Sequence, residues 1–279
     1  MANVSTIHPN LFDCHVHTHF STDSDADVKE ICTAAESLGL RGLIFTDHND
    51  FDWPFEESSD EYQLPLETYE NTLSSIVKSY NGPLDIRIGV EQGLQRSCCD
   101  RINSYDSKNR LDFIIGSSHL VEGKDPYYPS FWEGKDVTKS INLYLDTILD
   151  NLDCCHNFDV YGHIDYITRY IPDSETRAKT NLKDCQDVID AILKKIITLG
   201  KGIELNTAGF KSGDEPNPRR WILSRYRELG GEIITLGSDA HTPDRIGDHF
   251  ELARQILIDC GFKNITVFKK RKPEFISIL

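Results

Sequence analysis

Nowhere in its 279 residues does the chain approach the roughly 18 consecutive apolar residues of a membrane span. Its opening, MANVSTIHPN, lacks the basic and apolar stretches of a secretory signal. A soluble, cytoplasmic protein without a membrane partner is therefore expected. Positive charge is scarce as well: Lys and Arg total 30 against 45 Asp and Glu, a formal charge of -15. That balance opposes a nucleic-acid partner. It leaves room for an anionic substrate, because divalent ions held by carboxylates invert the local sign of charge. The eight cysteines form no C-x-x-C pair, and Cys98 with Cys99 and Cys154 with Cys155 are immediate neighbours. Such spacing suits neither a zinc ribbon nor a small disulfide scaffold, so reduced thiols are expected. Repeats and low-complexity tracts are also absent.

What the chain does have is alternation. Short β-rich runs and helical patterns succeed each other from end to end, as in parallel strands joined by crossover helices. The strands read as Leu11–His17, Gly42–His48, Leu84–Glu91, Leu111–His119, Asp159–Asp165, Gly202–Thr207 and Glu232–His241, seven in all. Between them, DVKEICTAAESLG sets Asp27 and Glu30 at capping-box spacing, lines up Val28, Ile31, Cys32, Ala35 and Leu38, and stops at Gly39. A second such stripe, Leu182 to Ile196, precedes Gly200, and further helices are expected at Leu66–Tyr80, Val137–Leu152, Arg219–Leu229 and His249–Cys260. No composition shift marks a boundary, so residues 1–279 read as a single α/β barrel domain closed by NITVFKKRKPEFISIL. Two connections are long and aromatic, FDWPFEESSDEYQLP and VEGKDPYYPSFWEGKD, as active-site lids often are.

The strand ends carry the chemistry. They read DCHVHT, FTDHND, GVEQG, GSSHL, YGHID and LGSDAH, and in a parallel barrel all of them meet at one mouth. His15, His17, His48, His119, His163 and His241 would gather there with Asp13, Asp47, Glu91, Asp165 and Asp239. Asp13, His15 and His17 share one strand face, as do Asp239 and His241. Imidazole and carboxylate together suit zinc, manganese or iron, and one carboxylate can bridge two ions.

These residues resemble the PHP (polymerase and histidinol phosphatase) superfamily, and within it the histidinol-phosphate phosphatase branch. The carriers are DCHVHTHFSTDS, LGLRGLIFTDHND, DFIIGSSHLV, YGHIDYITRY, ELNTAGFKS with EPNP, and GGEIITLGSDAHTPDRIG. The resemblance implies a distorted (β/α)7 barrel with three divalent metal ions at its C-terminal mouth. It implies a first ion on His15, His17, Glu91 and Asp239, with Glu91 bridging to a second on His119 and His163. A third ion falls to Asp23, His48 and His241; relatives outside the branch have His where this chain has Asp23. Asp13, Asp47 and Asp165 would orient the imidazoles.

The resemblance also implies a function: hydrolysis of L-histidinol phosphate to L-histidinol and phosphate, in histidine biosynthesis, by a hydroxide bridging two metals. Arg169 would grip the phosphate, with Lys211 standing where many relatives carry Arg; Arg177, Arg219, Arg220 and Arg245 are further candidate cations. Asp239 and His241 lie close in sequence to where the leaving alkoxide needs its proton. The long loops, with DWPFEE and DPYYPSFW, would hold the imidazole and ammonium of the substrate. Three alternatives stand beside this. One is a PHP phosphoesterase for another small phosphate ester or nucleotide. Another is an amidohydrolase-type hydrolase, which would need a lysine where this chain has His119. The last is a non-catalytic metal-binding module.

Overall fold

The computed structural model describes residues 7–54, 62–106 and 108–279. The part of the first long loop at 55–61, including the two glutamates of DWPFEE, lies outside them. The strands are β1 (Phe12–Val16), β2 (Gly42–Phe45), β3 (His48–Asn49), β4 (Asp85–Gly93), β5 (Phe113–Ser117), β6 (Val160–Tyr161), β7 (Gly202–Asn206), β8 (Ile234–Gly237), β9 (Asn264–Lys269) and β10 (Lys272–Ser277). The helices are α1 (Val28–Leu38), α2 (Leu66–Ser79), α3 (Cys99–Ser104), α4 (Pro129–Trp132), α5 (Val137–Cys154), α6 (Ser174–Lys179), α7 (Gln186–Thr198), α8 (Arg220–Glu228) and α9 (Phe250–Asp259).

Parallel strands run in the order β1-β2-β4-β5-β6-β7-β8, with β3 paired to β4. The two edges meet where the Asp239 N–H donates to the His15 carbonyl and the His17 N–H to that of Ala240, both at 2.9 Å. The fold is the expected distorted barrel of seven β/α units. Its interior strands are buried along their whole length, FDCHV and GIELN included. That explains why they read as unbroken runs rather than as alternating patterns. Helix α1 forms as its pattern dictates. Asp27 accepts from the N–H groups of Lys29 and Glu30, Val28, Ile31, Cys32 and Ala35 face the barrel, and Gly39 closes the helix at φ 76°. Val28 and Ile31 each contribute about 1.5–3 kcal/mol on burial, the smaller Cys32 and Ala35 less.

Most strands end earlier than the sequence suggests, β4 being the exception in running on to Gly93. β5 stops at Ser117, β6 at Tyr161 and β8 at Gly237, so His119, His163, Asp239 and His241 sit on the loops just beyond. The run expected over Gly42–His48 breaks after Phe45, and the chain pairs again as β3, where His48 lies opposite Glu91. The C-terminal segment is the hairpin β9–β10, turning through Lys270 and Arg271, both at positive φ (49° and 62°). It packs on the opposite end of the barrel.

The expectation of reduced thiols fails for one pair. Cys99, the first residue of α3, and Cys154, the last of α5, form a disulfide with Cα atoms 5.9 Å apart, a separation within bridging range. The other six cysteines are free. No helix of the described residues is long and apolar enough to cross a membrane.

Candidate metal centre

Glu91, on β4 and fully buried, is the hub of the mouth. Its Oε1 lies 2.9 Å from His163 Nε2 and 3.2 Å from His119 Nε2, and accepts from the Ser117 hydroxyl at 2.7 Å. Its Oε2 lies 2.9 Å from His48 Nδ1, 3.2 Å from His15 Nε2 and 3.6 Å from His17 Nε2. Asp239 faces the same two β1 imidazoles, its Oδ1 being 3.4 Å from His17 Nε2 and 3.7 Å from His15 Nε2. It does so from a backbone at φ 54°, a left-handed conformation uncommon outside glycine though more accessible to Asp than to most residues. Asp23 is the outermost carboxylate, with Oδ2 3.1 Å from His241 Nε2 and 3.6 Å from His48 Nε2. The His17 ring stacks on that of His241 at 4.0 Å and tilts against that of His48 at 4.3 Å.

Three groups of ligand atoms each lie within 4.8 Å: those of His15, His17 and Asp239, of His48, Glu91 and His119, and of His17, His48 and His241. His15 Nε2, His17 Nε2, His48 Nδ1 and Glu91 Oε2 are all buried and, although they approach one another closely, none makes a hydrogen bond among the described residues. Leaving that many polar atoms unsatisfied is costly unless something else binds them. The donor set fits divalent cations.

Electrostatics say the same. Burial alone would hold Glu91 protonated and His15, His48 and His119 neutral, but their mutual attraction outweighs it. Glu91 falls well below the usual carboxylate range. His15 rises well above 6.5, chiefly through Glu204, and His48 likewise through Asp23. His119, beside Asp50 and Glu91, is lifted to about 10. Burial and the neighbouring imidazoles His241 and His48 push His17 the other way, and His163 is also lowered, by burial first. A divalent cation binding here must displace the protons, since a ligating imidazole is neutral.

The orientation of the imidazoles is not what the sequence suggested. Asp13, Asp47 and Asp165 do not bond imidazoles. Asp13 instead ties β1 to Ser238 and Gly247, and burial lifts its pKa to about 6. Asp165 accepts from Asn217 and from the Arg219 N–H. Asp47 accepts from Thr18 and Ser21 and so acts on His17 indirectly, through the Ser21 hydroxyl 3.0 Å from His17 Nδ1. The groups that orient imidazoles directly are Glu204, 2.6 Å from His15 Nδ1, and Asp50, 2.9 Å from His119 Nδ1. Gly237 permits the first contact: a Cβ there would lie 2.4 Å from that of His15 and 2.5 Å from Glu204 Oε1. A charged residue in the middle of the run GIELN was the available signal for Glu204.

Arg169, on the turn after His163, is partly buried and braced at all three nitrogens. It donates from Nε to Asn217 (2.6 Å), from Nη1 to Asp239 (3.0 Å) and from Nη2 to Asn206 (2.8 Å). Lys211 is exposed and lines a side cavity of about 350 Å³ with Arg169, Arg177, Asp239 and His241. The other cations point elsewhere. Arg219 donates to the Thr180 carbonyl, Arg220 pairs with Glu215, and Arg245 with Asp248.

The main cavity, about 440 Å³, runs from the imidazoles and Arg169 to an aromatic end formed by Trp53, Tyr62, Tyr127, Tyr128 and Tyr170. The second long loop thus divides its aromatics: Tyr127 and Tyr128 face the cavity, whereas Phe131 and Trp132 are buried in the core. Among the described residues no lysine lines this cavity, so the lysine expected of an amidohydrolase-type site has no counterpart.

Residues 13–208 match the family model of the PHP domain. A probable histidinol-phosphatase of Clostridium acetobutylicum is 32% identical over 267 residues, 95% of this chain and 99% of the relative. The histidinol-phosphatase of Lactococcus lactis subsp. lactis is 28% identical over 264 residues, 93% of this chain and 95% of the relative. Among solved structures, histidinol phosphate phosphatase from Lactococcus lactis subsp. lactis, complexed with zinc, L-histidinol and phosphate, matches with a TM-score of 0.85 at 27% identity. The match covers 95% of this chain and 99% of that one.

Proposed function

Since this chain belongs to the PHP domain family, we propose that it is a metal-dependent phosphomonoesterase hydrolysing L-histidinol phosphate to L-histidinol and inorganic phosphate, a step of histidine biosynthesis. The observation that carries this reading is the convergence of five imidazoles on the single carboxylate of Glu91, with buried ligand atoms left without hydrogen bonds, beside a braced arginine. The choice of substrate is supported by relatives of near-identical length named for that activity, and by the related structure that holds zinc, L-histidinol and phosphate.

In this reading His15, His17, Glu91 and Asp239 would hold one ion, Glu91, His119 and His163 a second, and Asp23, His48 and His241 a third. Zinc is the first choice, with manganese and iron as alternatives that the same donors accept. Bound there, the ions supply Lewis acidity and a water acidic enough to serve as nucleophile near neutral pH.

The chain's own residues do the rest. Arg169, held by Asp239, Asn206 and Asn217, keeps two N–H groups of its fork for a phosphate oxygen. It needs no reorganisation as charge builds in the transition state. Lys211 is the second cation on the phosphate side. Asp239 and His241 border both cavities, close to where the departing alkoxide takes its proton. The aromatic end takes the organic half of the ester and excludes water from it. Phosphate release from L-histidinol phosphate, an aryl phosphate and a nucleoside monophosphate tests the reading. Preference for the first, lost on chelation, is expected. Release from the other esters alone would leave the metal centre but remove the substrate.

A further inference from the structure

The aromatic end of the main cavity holds a carboxylate that hydrolysis does not use. Asp125 follows a tight turn at Val121–Lys124, closed by two backbone hydrogen bonds of 2.9 and 3.0 Å just after His119. It is only 7% exposed. Its Oδ1 accepts from the Tyr127 N–H at 2.8 Å and the Tyr166 hydroxyl at 3.2 Å. Both donors are neutral. Among the described residues no hydrogen bond reaches Oδ2, and no lysine or arginine pairs with the carboxylate.

A buried carboxylate whose hydrogen-bond donors are neutral, with the His119 imidazole as its one nearby cationic group among the described residues, is incompletely compensated on the wall of an open cavity. Its surroundings are those of a cation site. Trp53 stacks on Tyr62 at 4.2 Å, and Tyr127 meets Tyr170 edge-on at 5.4 Å, all four lining the cavity. The Trp53 indole N–H is itself buried without a partner among the described residues. The box therefore offers a negative charge, aromatic faces and one spare donor. That set complements a flat heterocycle carrying a protonated amine.

We propose that Asp125 is the specificity-determining residue of this site, its carboxylate taking the cationic nitrogen of the ester while the stacked Trp53–Tyr62 pair offers an outer face to its ring. This rests on the phosphomonoesterase reading and narrows it to phosphate esters of amino-bearing alcohols.

The test is the ratio of kcat/KM for L-histidinol phosphate to that for p-nitrophenyl phosphate, in zinc-loaded wild type, Asp125→Asn and Asp125→Glu. L-histidinol binding by calorimetry serves as a readout independent of turnover. Loss of one charge-assisted hydrogen bond lowers the ratio in Asp125→Asn roughly 10- to 100-fold, weakens L-histidinol binding alongside, and is partly restored in Asp125→Glu. Parallel loss on both esters in both variants, or an unchanged ratio, overturns the assignment. Should the wild type cleave p-nitrophenyl phosphate but not L-histidinol phosphate, the substrate reading fails. Asp125 is then judged by the same ratio taken with O-phosphoethanolamine: a fall in Asp125→Asn keeps the assignment, and no fall removes it.

Discussion

The two ends of the barrel both bury charge, and they do it in opposite ways. At the end where the strands begin, arginine meets carboxylate. Arg87 lies 2.7 Å from both Asp85 and Glu274, and Arg271 reaches Asp159 at 2.5 Å. These pairs pin the β9–β10 hairpin over the strand starts. At the end where the strands finish, imidazoles crowd a single carboxylate, and four buried ligand atoms face one another without a hydrogen bond. Neutralised charge belongs to architecture, whereas charge left partly open belongs to chemistry that awaits a ligand.

Breaking the open end at its hub has the largest expected effect. Glu91→Gln keeps the size of the side chain but removes the charge shared by the ligand sets, so bound metal and phosphatase activity fall together, activity by roughly three orders of magnitude. Wild-type metal content by elemental analysis would contradict the hub assignment. One step out, Glu204→Gln leaves the ligands in place but loosens the His15 ring. A loss of about 10- to 100-fold in zinc affinity or activity follows, to be read by competition with a chromophoric chelator.

The closed end responds differently. Arg87→Met leaves Asp85 and Glu274 half-exposed and able to hydrate, so stability falls by about 1–2 kcal/mol while kcat is unaffected. Urea unfolding beside steady-state kinetics distinguishes the two ends, and a kcat that drops with stability would erase the contrast.

The smallest effect is in pH. His119, with its pKa raised from 6.5 to about 10, stabilises the metal-free fold fully below pH 6.5 and loses that contribution as pH rises through 10. Glu91, shifted downward, contributes above its ordinary range and loses its part as pH falls. The Tm of chelator-treated protein should therefore decline from about pH 7 to 10, while the zinc-loaded form, whose imidazoles are already neutral, is spared. A flat profile for the metal-free protein would count against the His119–Glu91–Asp50 cluster.

Much of this was legible in the sequence because the metal-type residues sit at or just past the ends of consecutive strands, where a parallel barrel brings them together whatever the loops do. His15 and His17 could be placed from alternation alone. What escaped was what depends on pairing between distant segments. Glu204 meets His15 across a separation of 189 residues. The Cys99–Cys154 bridge links the start of α3 to the end of α5. Helices α3, α4 and α6 are too short to leave a periodic signal; α4 has only 4 residues. The strand ends ran long for a related reason: no glycine or proline follows Ser117 or Gly237 directly to mark the stop, and His119, Asp239 and His241 turn toward the mouth instead of continuing the ladder.

The most direct measurement is a zinc titration of metal-free protein, following phosphate release from L-histidinol phosphate against equivalents of zinc added. The account predicts no turnover without metal and a rise that levels off at three equivalents per chain in wild type, with neither stoichiometric uptake nor turnover in Glu91→Gln. Turnover in the metal-free protein, or full uptake and activity in Glu91→Gln, would contradict it.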